Sequence, residues 1–369
     1  MSDRHALVTG YPGFIARRLV KKALLTDDRL RITTLVEPSQ QDAARAAIAE
    51  LSDQSGDLDL VNRVEMVVGD VTAIDVGLSG GEFRKLTGAV TEIFHLAAAH
   101  ALAAERRHAE RVNVHGTGNV LAFARATPNL ERFVHFSSAY VSGSRTGVIM
   151  EDELEEGQTF RNAYEATKHQ AEVLVRRAAD VPATIIRPAG VVGDSRTGEI
   201  DRFDTVYHLG MLLVASPVAV PVPLVGEGSA PLNLVPVDYL VDAVQAIAAQ
   251  PESVGRTYHV VDPNPLSARR VYEAIAALAG KKLPRYPMPP NVTKALLRIP
   301  GLERMAPVSH QAIDYLNHMA FYNSRNTAEA LEGTGIRCPH FDAYVDNLMQ
   351  YVRKYFERSR AAGGVGGLR

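Results

Sequence analysis

Short runs of apolar, often β-branched residues alternate with longer helical patterns through the first half of the chain. Seven such runs are predicted as strands: His5–Thr9, Arg31–Val36, Val64–Gly69, Glu92–Ala97, Arg132–Ser137, Ala183–Arg187 and, after a gap, Thr257–Asp262. Strands separated by helices pair in parallel and leave helices on both faces of the sheet. The pattern therefore predicts an α/β fold with a doubly wound, Rossmann-type sheet of seven parallel strands.

Two of these strands, in the segments VEMVVGD and EIFHLAAAH, are almost continuously apolar. Alternation of polar and apolar positions is lost when neither face of a strand meets water. Both strands are therefore expected to be covered on both faces.

After the sixth strand the pattern changes to proline-punctuated loops and then to helices. VDYLVDAVQAIAAQ predicts a helix before the seventh strand, and further helices are predicted at Ala268–Ala279, Asn291–Leu297, Ser309–Tyr322 and Phe341–Arg358. We predict a cofactor domain of residues 1–189 plus 233–262 and a smaller, mostly helical C-terminal substrate domain of residues 190–232 plus 263–358. The glycine-rich end, residues 359–369, is predicted to be a disordered tail.

The composition indicates a globular chain with a large core, because 46% of its 369 residues are hydrophobic. Lys plus Arg (40) nearly balance Asp plus Glu (42), so no net field attracts nucleic acid or an anionic membrane. The single cysteine, Cys338, excludes an internal disulfide and indicates a reducing compartment. No signal peptide pattern is present, and prolines interrupt the longest uncharged run, so we expect a cytoplasmic protein with no integral membrane segment.

The first strand leads into a glycine turn, TGYPGFIA, that is typical of dinucleotide-binding folds. Gly10 permits the tight turn, and Gly13 lets the backbone approach a pyrophosphate at the N-terminus of the next helix. Ala16 stands at the third small position, where it adds one methyl group to the packing of helix on strand. Such turns also occur without a ligand, so the prediction of a dinucleotide site also depends on the residues that follow the neighbouring strands.

The second predicted strand is followed by Glu37 and the third by Asp70. A carboxylate at Glu37 would bind the adenosine ribose hydroxyls and repel a 2′-phosphate, which favours NAD(H) over NADP(H). Arg45 is near enough in sequence to reach a phosphate, so NADP(H) stays the alternative. Asp70 is placed to accept from the adenine amino group. The alternatives are a solvated loop acid at Glu37 and a plain turn aspartate at Asp70.

The most specific chemical signal combines FSSAYVSG, at the end of the fifth strand, with NAYEATKHQAE. Tyr164 and Lys168 are four residues apart and share one face of a helix. A phenol has a pKa near ~10, and a neighbouring ammonium stabilises its anion. Lys168 is therefore expected to lower the pKa of Tyr164, which would act as the acid/base, and to hold the nicotinamide ribose. Ser138 would hydrogen-bond the reacting oxygen.

With these residues the chain resembles an extended short-chain dehydrogenase/reductase. The motifs that carry the resemblance are the glycine turn, Asp70, HLAA at 95–98, NVHGTGNVL at 113–121, SSAYVSG at 137–143, the Tyr164/Lys168 pair and RPAGVVG at 187–193. The resemblance implies that Asn113 supports a proton-relay water and that Arg187 and Pro188 border the nicotinamide. The remaining cofactor contacts expected along these motifs are Pro12, Phe14, Ile15, Val71, Leu96, Ala97 and Ala98.

Within that superfamily, VVGDSRTGEIDRFD, NLVPVDYLVDAV and YHVVDPNPLSARRVYEAI are similar to fatty acyl-CoA reductases and thioester reductase domains. That branch often has Thr at the position of Ser138, Gly at Ala16 and Arg at Glu37. Serine keeps the hydroxyl, whereas Glu37 departs from the branch's usual NADPH preference. The resemblance implies that an acyl thioester, on CoA or on a carrier, is reduced to an aldehyde or alcohol.

Two other functions stay open as alternatives. A ketoreductase or alcohol dehydrogenase for a hydroxyacyl, steroid or polyketide-like substrate needs the same three side chains, whereas a non-catalytic dinucleotide-binding regulator needs none of them. The apolar segments MLLVASPVAVPVPLV and QAIDYLNHMAF could wall an acyl tunnel or belong to the core. EDELEE at 151–156 is predicted as a solvated loop, with a lid as the alternative.

The expected partners follow from this chemistry. A small-molecule or carrier-bound acyl or carbonyl substrate is expected, with no nucleic acid, and the chain is expected to be a monomer or a homodimer. No metal site is expected, because no histidine spacing typical of metal ligands is present.

Overall fold

Seven parallel strands form one sheet in the computed structural model of this protein, which describes residues 4–55, 59–99, 105–201, 207, 228–281 and 315–361. The described residues form these seven strands and four shorter ones. In chain order they are β1 (His5–Thr9), β2 (Arg31–Val36), β3 (Val64–Val68), β4 (Glu92–His95), β5 (Arg132–Phe136), β6 (Gly147–Ile149), β7 (Ala183–Pro188), β8 (Gly190–Val192), β9 (Leu234–Pro236), β10 (Thr257–Val260) and β11 (Ala320–Tyr322). The sheet has the order β10-β7-β5-β4-β1-β2-β3, and β6 pairs with β11 and β8 with β9 as separate ribbons. The predicted fold class is confirmed.

Helices connect these strands. They are α1 (Phe14–Thr26), α2 (Gln41–Ser55), α3 (Asp59–Asn62), α4 (Gly80–Ala89), α5 (Arg106–Ala109), α6 (Gly116–Arg125), α7 (Ala163–Arg177), α8 (Val237–Ala248), α9 (Ala268–Leu278), α10 (Arg325–Leu331) and α11 (Phe341–Ala361). A π-helical turn, Glu110–His115, joins α5 to α6, and single 3-10 turns cover Pro38–Gln40, Ile74–Gly77, Ala139–Ser142 and Pro251–Ser253.

The sheet carries an apolar core on each face. In β1, Ala6 and Val8 belong to the cluster that packs against α1, α2 and α8, whereas Leu7 belongs to the cluster beneath α4, α6 and α7. Successive strand residues point to opposite faces, so β4, β5 and β7 are buried along their whole length. All four residues of β4 are buried, as predicted.

The expectation for the third strand is wrong. β3 lies at the edge of the sheet, where Glu65 is exposed and Val68 is 37% exposed. An apolar run does not reveal whether a strand is central or terminal, because that depends on strand order.

A third apolar cluster joins α9 and α11 to β8 and β9, with Ile275, Tyr344 and Val192 at its centre. The helix predicted from Ala268 is confirmed, and α11 continues through Ala361, three residues into the predicted tail. The division into two domains stays a prediction. Residues 325–331, assigned to the substrate domain, place Ala330 and Leu331 in the cluster of α1 and α8.

One predicted helix, Ser309–Tyr322, ends earlier than expected: residues 315 and 316 are helical, but the helix does not reach Tyr322. Residues 320–322 form β11, which pairs in parallel with β6 and sets Phe321 opposite Val148. Ala320 and Tyr322 are buried and Phe321 is 45% exposed, so a period of two replaces the helical period. The predicted helix Asn291–Leu297, the start of the one predicted at Ser309–Tyr322, and the apolar segment MLLVASPVAVPVPLV lie outside the described residues.

Within the described ranges, no helix combines the length and the apolar character needed to cross a bilayer. The same residues hold no group of three or more His, Cys, Asp or Glu side chains suited to a metal ion.

Candidate active site

The glycine turn packs directly against the end of β4. Gly10 has φ +81°, and a Cβ there would lie 2.7 Å from the backbone nitrogen of Ala97 and 2.8 Å from the carbonyl carbon of Leu96. A Cβ at Gly13 would lie 2.8 Å from the carbonyl oxygen of Gly10. Only glycine allows this close approach and this backbone conformation.

The start of α1 is free to receive an anion. Gly13 is the N-cap, with no side-chain cap hydrogen bond and no acidic residue in the first turn. The first amide groups of a helix have no partner within it, and the helix dipole favours negative charge there. Ala16 is 2% exposed and packs in the core, so its methyl group is accommodated. These residues fit the pyrophosphate of a dinucleotide.

The other predicted cofactor contacts lie at the carboxyl ends of neighbouring parallel strands, the edge at which open sheets bind ligands. Half-buried at this edge are Pro12, Phe14, Ile15, Asp70, Val71, Leu96, Ala97 and Ala98. Glu37 is exposed directly after β2, and its carboxylate forms no ion pair with a described residue. Arg45 donates to Asp42 on its own helix, at 2.9 Å.

A strained turn fixes Asp70. Asp75 and Val76 both have φ 52°, a left-handed conformation that is rare for non-glycine residues and most of all for a β-branched one. The carbonyl oxygen of Val76 accepts from the backbone N–H of Asp70 at 2.8 Å, and Asp70 Oδ1 accepts from the N–H of Thr72 at 2.8 Å. The sequence pattern does not reveal this turn.

The helix that carries Tyr164 and Lys168, α7, starts one residue before Tyr164. Asn162 caps α7 by accepting from the N–H of Glu165 at 2.9 Å. Tyr164 shares a hydrogen bond with Ser138, which is 2% exposed at the end of β5. Lys168 follows one turn later, is 3% exposed and donates to the backbone oxygen of Phe136. The structure thus gathers the three predicted catalytic residues around the end of β5.

The pKa of Tyr164 differs from the expectation. Burial raises the pKa of Tyr164, the hydrogen bond with Ser138 lowers it and Glu165 raises it further, with a net rise. Lys168 does not lower this pKa, because its own pKa lies below that of the phenol and the lysine is neutral before Tyr164 ionises. Burial lowers the pKa of Lys168 itself to about 8, although Glu172 opposes the change. At neutral pH the phenol is therefore protonated and the lysine is mostly charged.

A one-way chain of hydrogen bonds connects the glycine turn with Asn113. The N–H of Ala97 donates to Thr9 Oγ1 (3.2 Å), which lies 2.8 Å from Nδ1 of His95. His95 Nε2 lies 2.9 Å from Thr117 Oγ1, which donates to the carbonyl oxygen of Asn113 at 2.6 Å. Burial lowers the pKa of His95 to about 3, so the ring is neutral. The network assigns the proton to Nε2, since Thr117 must accept there.

The side chain of Asn113 holds the segment after β4 against α7. Its Oδ1 accepts from the N–H of Ala99 at 2.7 Å, and its Nδ2 donates to Thr167 Oγ1 at 2.9 Å. Asn113 is 1% exposed and lies in the π-helical turn, a feature frequent at functional sites. Thr9, His95, Thr117 and Thr167 were not predicted, because their partners are distant in sequence.

A buried ion pair lies beneath Lys168. Glu172, which is 0% exposed, accepts from Arg187 Nε at 2.9 Å and Nη2 at 2.7 Å, and from Ser137 Oγ at 2.5 Å. Arg187 is 1% exposed, and its Nη1 lies 3.2 Å from His259 Nε2. The Arg187 guanidinium therefore points into the interior, and the expectation that the Arg187–Pro188 segment borders the nicotinamide stays a prediction. Pro188, the last residue of β7, is also buried.

The segment EDELEE is a loop, as predicted, in which Asp152, Glu155 and Glu156 are exposed, but it is anchored at two buried positions, Glu151 and Leu154. Glu151 is 3% exposed, and its carboxylate accepts from the backbone N–H of His259 at 2.8 Å and of Asn326 at 2.6 Å. Leu154 is also buried. Backbone amides that need an acceptor, at β10 and at the start of α10, account for the burial of this carboxylate.

A seven-stranded parallel sheet with this glycine turn, and with Ser138, Tyr164 and Lys168 together at the strand ends, defines an extended short-chain dehydrogenase/reductase. Over residues 8–244 the sequence matches the NAD-binding family described as Male sterility protein. The chain belongs to that family, and its cofactor is a nicotinamide dinucleotide.

Relatives are found among large synthetases and fatty acyl-CoA reductases. One of the linear gramicidin synthase proteins of Brevibacillus parabrevis is 25% identical over 96% of this chain, which spans 7% of that protein. Fatty acyl-CoA reductase wat of Drosophila melanogaster is 25% identical over 67% of this chain, which spans 54% of that protein. The chain thus covers from a small fraction to about half of these relatives.

A solved structure is similar over nearly the whole chain. The terminal R domain from the myxalamid PKS-NRPS biosynthetic pathway superposes with a TM-score of 0.80 at 27% identity, covering 96% of this chain and 92% of that one.

Proposed function

We propose that the protein is an NAD(P)H-dependent reductase that converts an acyl thioester, bound to CoA or to a carrier, into an aldehyde or alcohol. The observation that carries this proposal is the Ser138–Tyr164 hydrogen bond with a protonated phenol, at the same sheet edge as the glycine turn and with one strand, β4, between them. The name of one relative, a fatty acyl-CoA reductase, agrees with a thioester substrate, because an acyl-CoA is a thioester.

The cofactor would be held by the glycine turn and the strand ends. The amide groups at the start of α1 would bind the pyrophosphate, Asp70 the adenine and Lys168 the nicotinamide ribose. Glu37 would bind the adenosine ribose and disfavour a 2′-phosphate, and Arg45 is directed to Asp42, so we propose a preference for NADH. When bound, the reduced nicotinamide supplies hydride equivalents for the reduction.

The side chains would act on the carbonyl oxygen as it gains negative charge. Ser138 and Tyr164 donate hydrogen bonds to that oxygen, and the phenol then transfers its proton to it. The Lys168 ammonium offsets the charge left on Tyr164. The resulting hemithioacetal releases its thiol to give the aldehyde, which a second reduction would take to the alcohol.

The function is tested with the purified chain and an acyl-CoA chain-length series, beside matched ketones and aldehydes, each with NADH and NADPH. We expect cofactor oxidation with a thioester and release of one free CoA thiol per aldehyde formed. Turnover of ketones alone would favour the ketoreductase. Cofactor binding without any turnover would favour the regulator.

A further inference from the structure

Tyr315 lies between the two segments that carry the proposed reacting side chains. It is 7% exposed and belongs to the C-terminal part of the chain, more than a hundred residues beyond Tyr164. Its hydroxyl reaches α7 at the residues flanking Tyr164, and its ring reaches the segment that follows Ser138. One side chain therefore touches both halves of the site.

The hydroxyl of Tyr315 completes the start of α7. It donates to Glu165 Oε1 at 2.7 Å and accepts from Asn162 Nδ2 at 2.8 Å. Glu165 is 0% exposed and also accepts from Arg161, through Nη1 and through the backbone N–H, each at 2.9 Å. Because Asn162 and Glu165 form the helix cap, these bonds fix the backbone on both sides of the Tyr164 phenol.

The ring of Tyr315 packs on Tyr140. Their centroids are 4.8 Å apart with an interplanar angle of 56°, within the range of favourable aromatic pairs. Tyr140 is two residues beyond Ser138, and its N–H donates to Ser138 Oγ at 3.2 Å. Displacement of the Tyr140 ring would therefore move the hydroxyl that meets the reacting oxygen.

We propose that Tyr315 is a positioning residue: its hydroxyl and its ring together hold Tyr164 and Ser138 in register, so that seating of the C-terminal segment determines catalytic competence. The inference rests on the proposed reductase function. Tyr315 acts through Asn162, Glu165 and Tyr140 and donates no proton to the substrate.

The test is Tyr315→Phe in the full chain, assayed with the carbonyl substrate that the wild-type protein turns over fastest. A small misplacement of reacting groups costs up to about 100-fold in rate, so we expect kcat to fall about 10- to 100-fold. The KM and Kd for the cofactor should change by less than about twofold, since the glycine turn is untouched. A merely structural role would instead raise both constants and lower Tm together.

Tyr322→Phe is the matched control. Tyr322 is also buried, at 8% exposure, and its hydroxyl lies 3.3 Å from Ser142 Oγ without reaching α7. Its kcat should stay within about twofold of wild type. Equal kcat in wild type and Tyr315→Phe, or equal losses in both variants, would overturn the proposal.

Hydrogen exchange separates this proposal from the reductase function. If the wild-type protein turns over no carbonyl substrate, the proposed function fails, but the amides of residues 162–168 should still exchange faster in Tyr315→Phe than in Tyr322→Phe. Unchanged exchange in that segment would overturn the positioning role by itself.

Discussion

Replacing Glu172 by Gln should remove a large part of the stability of the protein. The carboxylate is 0% exposed and is shared by Arg187, which is 1% exposed, and by Arg176. Glutamine keeps the volume and an acceptor oxygen but removes the charge, and so leaves the buried Arg187 guanidinium without its ion-pair partner. Breaking a buried pair in this way costs about 3–5 kcal/mol, against a total of about 5–15 kcal/mol for a typical domain.

Urea unfolding followed by circular dichroism measures this loss. The control is Glu155→Gln. Glu155, in the loop before α7, pairs at 3.2 Å with Arg177, the last residue of the helix that carries Glu172, and the two side chains are largely exposed, at 59% and 69%. Exposed pairs contribute about 0–1 kcal/mol, so the control should unfold close to wild type. The reasoning would be refuted if the free energies of unfolding of Glu172→Gln and of the control differed by less than about 1 kcal/mol.

The same variant has a second readout. Glu172 is the group that raises the pKa of Lys168 against the effect of burial. Its removal should therefore lower the pH at which the lysine loses its proton, and kcat/KM should start to fall at lower pH than in wild type.

Three further outcomes follow from the site. In the wild-type protein, kcat/KM for reduction should decline as pH rises through about 8, because Lys168 loses its charge there while burial keeps Tyr164 protonated. A value of kcat/KM that does not change up to high pH would contradict this prediction. Tyr164→Phe should abolish turnover while the cofactor Kd, followed by nicotinamide fluorescence, stays nearly unchanged; full activity would remove the proposed acid. NADH should bind more tightly than NADPH, and Glu37→Arg should reverse that order in the same titration; a wild-type preference for NADPH would show that Glu37 has another role.

Sequence reasoning reached the elements whose signal is local. The turn at Gly10, which has φ +81°, and the Tyr164/Lys168 pair on one helix face are both predicted from residues close together in the sequence. Strand order is not local, which is why β3 was expected in the interior and lies at an edge. Residues 320–322 were predicted to end a helix but pair with β6, a partner that is distant in sequence.

The candidate active site also has one part that the sequence predicts and another that depends on tertiary structure. The sequence by itself determined the fold class, the glycine turn and the identity of Ser138, Tyr164 and Lys168, since short-range sterics and helix periodicity place these groups. The tertiary structure alone decided their protonation and alignment. The hydrogen bonds that align the site join residues far apart in the sequence: Glu172 and Arg187 are 15 residues apart, Thr9 and His95 are 86 apart, and Tyr315 and Glu165 are 150 apart. Burial and long-range partners set the pKa of a group, and both exist only once distant segments have packed together.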